Sequence, residues 1–144
     1  MELAKELLDD IELGRTDAER LLLKASRLAR WVGSEEIQYW LRLEMGGYNN
    51  SNDVSRKYMG ITGRWLEREK GTGYWGPLAQ QEAAIAAEKA KLAAMRVPDT
   101  SGEWANAAIH HVTSAMTASA NYITRISGIR SRVLAQLHTF VSEV

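Results

Sequence analysis

The sequence predicts a mainly α-helical α+β fold, in which helices at the N-terminus, a small β-hairpin and further long helices form one domain over residues 1–144. Apolar residues recur at helical spacing near both ends of the chain, an aromatic- and glycine-rich stretch interrupts them from Trp40 to Pro77, and an alanine-rich run follows. The chain is 45% hydrophobic and 25% charged, as globular proteins commonly are. Its length is sufficient to bury a core without metal or disulfide.

Two helices are predicted in the first third of the chain. Apolar residues at helical spacing over residues 3–11 indicate a short amphipathic helix that ends at Gly14. Thr16 and Glu19 have the spacing of a capping box, in which each side chain binds a free backbone amide at a helix start. We therefore expect a second helix to begin there. Gly33 is suited to close it, because glycine tolerates the left-handed backbone at a helix C-terminus.

A third helix is predicted after Ser34. Glu35 and Glu36 fall in its first turn, where the helix dipole favours negative charge. Gly46 marks its end, and residues 49–53 form a polar loop with no apolar side chain to pack.

Beyond this loop the residues become β-branched and aromatic. Gly71 and Gly73 stand between two groups of such residues, which is typical of a two-stranded hairpin. Gly60 and Gly63 break the alternation, and glycine inside a strand marks a bulge or the close approach of a backbone or ligand. The residues assigned to the hairpin are Tyr58, Ile61, Thr62 and Trp65 before the turn, and Tyr74 and Trp75 after it.

The rest of the chain predicts long helices. Leu78, Ile85 and Leu92 are evenly spaced at two helical turns in the alanine-rich run, which favours a helix that is broken by residues 98–102. Residues 107–120 fit either a strand or a helix. A final helix carries its apolar face on Ile126, Ile129, Val133, Leu137 and Phe140 or Val141, with Gly128 as a weak point near its start.

Composition narrows the class of protein. The 18 Lys and Arg equal the 18 Asp and Glu, so charge gives no support to nucleic-acid binding. With no cysteine, the chain has neither disulfides nor thiolate zinc sites. The N-terminus carries acids where a secretory signal needs a basic flank, and no stretch approaches the roughly 20 apolar residues of a membrane span. We expect a soluble, cytoplasmic protein without membrane, metal or cofactor.

Three ordered pieces of the chain resemble the AbiTii domain of bacterial abortive-infection proteins. In the first piece, LLLKASRLARWVGSEEIQYWLRLEMGGY, the resemblance falls on Trp40, Leu41, Glu44, Met45, Gly47 and Tyr48. In the second, YMGITGRW followed by GYWGP, it falls on Tyr58, Gly63, Trp75 and Pro77, with Gly76 inserted before the proline. The third piece, GIRSRVLAQLHTFVSEV, is similar to the closing helix of the family.

The resemblance implies one AbiTii-like domain and a role in phage defence, in which such a domain harms the infected cell or controls a component that does. It supplies no catalytic residue. The alanine-rich middle differs from the family pattern, which has proline-rich, strand-forming sequence there.

One cluster of residues is a candidate site for a nucleotide or another small ligand. Each aromatic ring that stacks on a base contributes about 1–3 kcal/mol to binding, and cationic side chains contact phosphates. The alternative is that the aromatic residues cover the hairpin while the cations lie in solvent. The cluster comprises Tyr48, Arg56, Lys57, Arg64, Trp65, Tyr74 and Trp75.

Other polar residues have competing interpretations. Glu44 lies in an aromatic corner with Trp40 and Gly47, where a partly buried acid would suit an active site. The sequence favours a structural role instead, either in an ion pair or in a hydrogen bond to the turn at 46–48. The adjacent histidines at 110 and 111 make a poor metal-chelating pair. A catalytic site that joins them to Ser114 or Glu103 requires contacts that sequence does not show.

Three functional hypotheses follow. The first is a phage-defence protein that acts by binding a ligand or a partner, including further copies of itself. The second is a toxin with nuclease-like or nucleotide-degrading activity, and the third is a structural or antitoxin-like partner of another defence protein. Known enzyme motifs are absent, which favours a binding protein over an enzyme. The arginines at 125, 130 and 132 form either a modest basic patch or dispersed surface charge.

Overall fold

A computed structural model describes residues 2–95 and 105–144, and it confirms a mainly helical fold with a small antiparallel hairpin. The ambiguous stretch at 107–120 is helical. In chain order the elements are α1 (Glu2–Leu13), α2 (Ala18–Val32), α3 (Glu35–Gly46), α4 (Asp53–Ile61), β1 (Trp65–Glu67), a 3-10 turn (Arg68–Lys70), β2 (Thr72–Gly73), α5 (Leu78–Ala94) and α6 (Ala105–Ser142).

The start of α2 differs from the predicted capping box by one residue. Asp17, not Thr16, is the N-cap, and its Oδ1 accepts a hydrogen bond of 2.8 Å from the backbone N–H of Arg20. A carboxylate at this position also interacts favourably with the helix dipole, which gives it an advantage over the neighbouring hydroxyl. The predicted end of α2 is confirmed, because Gly33 adopts a left-handed φ of 74° and its N–H donates to Arg30 O.

The first half of the predicted hairpin is wrong, because Tyr58 and Ile61 belong to α4 and Thr62 caps the end of that helix. Asn52 starts α4 by accepting hydrogen bonds from the backbone N–H groups of Val54 (2.8 Å) and Ser55 (3.3 Å). The pairs Val54 and Tyr58, and Ser55 and Met59, are four positions apart and face inward, which is helical spacing. Aromatic and β-branched composition concealed this periodicity.

The hairpin that does form is shorter. Trp65 pairs with Gly73 and Glu67 with Thr72, with an irregular register between the two pairs. Tyr74 and Trp75 follow β2 directly. Gly73 shows the close approach expected of a strand glycine, because a Cβ there would lie 2.7 Å from the Arg64 carbonyl oxygen and 2.7 Å from Met59 Cε.

The helix α6 is 38 residues long, and it includes the segment that sequence left open between strand and helix. Alanine-rich sequence favours helix there, and the helix continues without a break into the apolar face of the C-terminal half. Gly128 consequently lies inside α6 and not near a helix start. The buried residues of α6 begin at Ser119, and its predicted apolar face of Ile126, Ile129, Val133, Leu137, Phe140 and Val141 is buried in full.

The core lies between the N-terminal helices, α5 and the C-terminal half of α6. Leu7, Leu28, Leu41, Leu78 and Leu137 have no exposed surface. The ring of Trp40 in α3 stacks on Tyr58 in α4, with centroids 5.2 Å apart, so the short helix before the hairpin is held against this core. Within residues 2–95 and 105–144, every helix is too short or too polar to cross a membrane.

Candidate functional site

A buried polar cluster forms at the C-terminal end of α3. Trp40, Glu44 and Tyr48 are four positions apart, which brings their side chains to one side of the chain. The Tyr48 hydroxyl donates a hydrogen bond to Glu44 Oε2. The Trp40 indole Nε1 lies 3.1 Å from the same oxygen and 3.0 Å from the Tyr48 hydroxyl. This carboxylate oxygen is therefore occupied by donors within the corner.

Arg64 provides the positive charge in the cluster. Its Nη2 forms an ion pair with Glu44 Oε1, and its Nη1 donates to the carbonyl oxygens of Tyr74 at 2.9 Å and Gly76 at 2.7 Å. The guanidinium carbon lies 4.5 Å from the centroid of the Tyr48 ring. Arg64 and Glu44 are both fully buried, so the pair is held away from water. Through these bonds Arg64 links Glu44 of α3 to the segment that follows the hairpin.

The backbone completes this corner. Gly47 has a φ of 106°, a conformation that residues with a side chain rarely adopt, and a Cβ there would lie 3.4 Å from the Trp75 carbonyl oxygen. The next residue, Tyr48, donates its backbone N–H to the same oxygen at 2.7 Å. Pro77 Cδ also approaches Gly47. The glycine thus permits two chain segments to lie against each other.

Burial changes the proton affinity of the Tyr48 hydroxyl. Removal from water raises the pKa of Tyr48 above its usual value, and the negative charge of Glu44 raises it further. The hydroxyl therefore remains protonated and serves as a donor to the carboxylate. With Glu44 engaged by Tyr48, Trp40 and Arg64, the geometry is that of a structural cluster.

The candidate ligand residues divide between the interior and the surface. Tyr48 and Arg64 are buried in the corner cluster, whereas Arg56 and Lys57 are exposed on α4. Lys57 Nζ lies 2.8 Å from Glu36 Oε1, and this hydrogen bond lowers the pKa of the Glu36 carboxyl. The seven candidates thus do not line one common surface, and a ligand role stays a prediction for those that reach solvent.

Three aromatic members of this set, Trp65, Tyr74 and Trp75, pack against other aromatic rings. Trp65 and Trp75 meet edge to face, with centroids 5.5 Å apart, and Tyr74 meets Tyr122 of α6 at 6.4 Å. The Arg56 guanidinium carbon lies 6.0 Å from the centroid of the Trp65 ring. Trp65 therefore brings the hairpin close to the exposed Arg56 of α4.

The histidines are dispersed. His110 and His111 are exposed on α6, as is Ser114, and Glu103 lies outside the described residues. His138 Nε2 lies 2.8 Å from Glu12 Oε1, which links the C-terminal part of α6 to α1. Among the residues that the structure describes, no group of three or more potential ligands could hold a metal ion.

The family model of the AbiTii domain matches residues 2–144. The chain belongs to the AbiTii family. No curated protein and no solved structure matches this chain with significant similarity. Membership of AbiTii implies abortive-infection phage defence. The match also spans the alanine-rich middle, in which this chain forms the predicted long helix, α5.

Several AbiTii motif residues from the first two pieces meet in the buried corner. The first piece supplies the hydrogen-bonded residues Trp40, Glu44 and Tyr48 and the turn at Gly47. The second piece supplies Tyr58, which stacks on Trp40, and Trp75, whose carbonyl oxygen lies against Gly47. Arg64, the partner of Glu44, was missed as a structural residue because 20 positions separate the two in sequence. Nothing in the local sequence around Arg64, which directly precedes Trp65, indicated that its side chain would be buried.

Proposed function

We propose that this AbiTii protein acts in phage defence by assembling with further copies of itself, through the N-terminal end of α6, rather than by catalysis. The observation that carries this proposal is an uncharged stretch of α6, in which residues 106–118 include no buried side chain. Residues 105–124 contain no Asp, Glu, Lys or Arg, although 25% of the whole chain is charged. Solvated helices normally present charged side chains to water, so this stretch departs from the pattern of a helix surrounded by solvent.

The uncharged stretch extends past the end of α5. The Arg130–Glu82 ion pair, 3.9 Å long, and the groove that Ile85 and Lys89 share with Ser127 indicate that α5 and α6 run antiparallel. Ala94, the last residue of α5, lies 12 positions after Glu82, and Ala118 lies 12 positions before Arg130. Ala118 is therefore level with the end of α5. Residues 105–117 therefore extend about 20 Å beyond the end of α5, at about 1.5 Å per residue.

Residues 106–118, here called the projecting segment, contain no buried side chain. Ile109, Thr113 and Thr117 are all exposed and four positions apart, so they form one outward face of the helix. Ile109 is 40% exposed. Isolated helices of this length are marginal in water, and packing against another element normally stabilises them.

A second copy of the chain is the partner that suits this face. Two identical uncharged helices meet in an isologous contact without leaving any ionised group unpaired. The formal net charge of the chain is zero, with 18 basic and 18 acidic residues, so approaching copies experience little mutual repulsion. A strongly acidic or basic partner would find no complementary charge on the projecting segment.

The first test is the mass of the protein in solution. Sedimentation velocity over a wide range of protein concentration should give species whose masses are multiples of that of one chain. Ile109→Glu should weaken self-association by about tenfold or more, which corresponds to about 1.4 kcal/mol, because it places a charge in the contact. Val32→Glu is the matched control, since Val32 is 41% exposed and lies in α2.

Several outcomes would contradict the proposal. A wild-type protein that is monomeric at every concentration would remove its basis, as would equal masses for the two glutamate variants. If the purified protein cleaves RNA, DNA or nucleotides, and changes at His110 or His111 abolish cleavage while the fold survives, the toxin hypothesis replaces it. Co-purification of a different defence protein in place of a second copy would favour the antitoxin-like hypothesis.

A further inference from the structure

A surface cleft lies between the turn that precedes β1 and the middle of α6. It encloses about 380 Å³, within the range of small-ligand sites. It contains no residue of the projecting segment, so ligand binding in this cleft does not require self-association. Its lining comprises Gly63, Trp65, Asn121, Thr124, Arg125, Gly128, Ile129 and Arg132.

The cleft carries positive charge without a compensating acid. Arg125 and Arg132 are separated by two turns of one helix, so both lie on the side of α6 that faces the hairpin. Neither forms an ion pair with an acidic side chain in the described part of the chain. Arg130 lies between them in sequence, but it forms an ion pair with Glu82 of α5. No Asp or Glu from the described ranges lines the cleft.

Two glycines give the cleft its shape. Gly63 has a left-handed φ of 66°, and a Cβ at this position would collide with the Arg132 guanidinium. The missing side chain therefore lets Arg132 lie against the turn. Gly128 sits inside α6, where glycine weakens helix formation, and a Cβ there would meet no atom within 4 Å. The open space above Gly128 belongs to the cleft.

Trp65 contributes an unpaired donor. Its indole Nε1 is buried, and it has no hydrogen-bond acceptor among the residues that the structure describes. Buried donors without partners are uncommon in folded proteins, and each one requires an explanation. Because this nitrogen has almost no accessible surface, a ligand would reach it only after the Trp65 side chain shifts, and the two arginines are the donors that the open cleft presents.

We propose that this cleft binds a phosphate chain of the kind that nucleoside polyphosphates carry. Its charged groups are guanidiniums, which match phosphate oxygens in geometry and charge. The two arginines start about 10 Å apart along α6, a separation that suits several linked phosphates better than one. Asn121 and Thr124 line the same cleft beside Arg125, where a nucleoside would meet polar side chains.

Isothermal titration calorimetry of the whole chain tests the site with ATP, inorganic tripolyphosphate and adenosine. ATP and tripolyphosphate should bind, and adenosine should not. Tighter binding of ATP would assign the nucleotide as the ligand, and equal binding would assign the free polyphosphate. Arg125→Gln and Arg132→Gln should each weaken binding by about tenfold, which is the loss of one charge-assisted contact. Arg130→Gln, which removes a charge outside the cleft, should leave the affinity unchanged.

Gly128→Leu fills the cleft while both arginines remain in the sequence. It should abolish ATP binding while the melting temperature of the unliganded protein is maintained or raised, because leucine favours helix more than glycine does. Absence of binding by the wild type would overturn the proposal, as would equal affinities of wild type and the Arg125→Gln/Arg132→Gln double variant. Preferential binding of single-stranded RNA over ATP would overturn it in favour of a nucleic-acid site. None of these results depends on the mass of the protein in solution.

Discussion

Replacement of Arg64 by methionine should lower the free energy of unfolding by about 3–5 kcal/mol, the range observed when one partner of a buried ion pair is removed. The variant leaves the Glu44 carboxylate fully buried without its cation, and it also removes the donors to the Tyr74 and Gly76 carbonyl oxygens. Urea denaturation of the purified variant measures the loss. Arg56→Met is the matched control, since Arg56 is exposed on α4 and its loss should cost far less.

A double variant separates charge from packing in the same corner. Glu44→Gln combined with Arg64→Met removes both charges and retains an oxygen acceptor for the Trp40 and Tyr48 donors. The double variant should be more stable than Arg64→Met alone, because no ionised group is left buried and unpaired. If Arg64→Met and Arg56→Met had equal stabilities, the Glu44–Arg64 ion pair would not stabilise the fold.

Alkaline pH should destabilise the protein through Tyr58 and Tyr48. Burial, with the charge of Glu36 as a second cause, raises the pKa of Tyr58 to about 12 from its usual 10.0. Between these values the unfolded chain releases a proton that the folded chain keeps, so stability present below pH 10 is lost as pH rises towards 12. Two pH units correspond to roughly 2.7 kcal/mol for this one group. The raised pKa of Tyr48 acts in the same direction.

Urea denaturation at a series of alkaline pH values measures this loss. Other groups titrate in the same range, including Lys24, whose pKa is raised chiefly by its hydrogen bond to Asp10. Tyr58→Phe removes the titrating hydroxyl, so its stability should fall less steeply with pH than that of the wild type. Parallel curves for the two proteins would contradict the assigned role of Tyr58.

The helices were predictable wherever apolar spacing and end signals agreed. Gly33 ends α2 as expected, and the apolar face of α6 is buried as the pattern indicated. The prediction failed at α4, where aromatic and β-branched residues suggested a strand. The stack of Tyr58 on Trp40, 18 positions away in sequence, holds that helix against the core. Tertiary packing routinely overrides local propensity in such short elements.

The site was less predictable than the fold. The aromatic corner at Glu44 could be predicted because Trp40, Glu44 and Tyr48 are spaced four positions apart in one short stretch of chain. The partner of Glu44 was not visible, since Arg64 reaches it only after the chain has formed α4 and turned back. The cleft on α6 could not be predicted either, because its lining joins residues 63 and 65 to residues 121–132, which are distant in sequence. Its arginines were indistinguishable in sequence from Arg130, which pairs with Glu82.

We propose that self-association through the projecting segment is necessary for defence. Phage challenge of host cells that carry the complete native defence locus tests it most directly, with wild type, Ile109→Glu and Val32→Glu compared at equal protein levels. We expect protection to be lost in Ile109→Glu and retained in Val32→Glu, whose exposed valine lies outside the contact. Full protection by an Ile109→Glu protein that sedimentation shows to be monomeric would contradict the account.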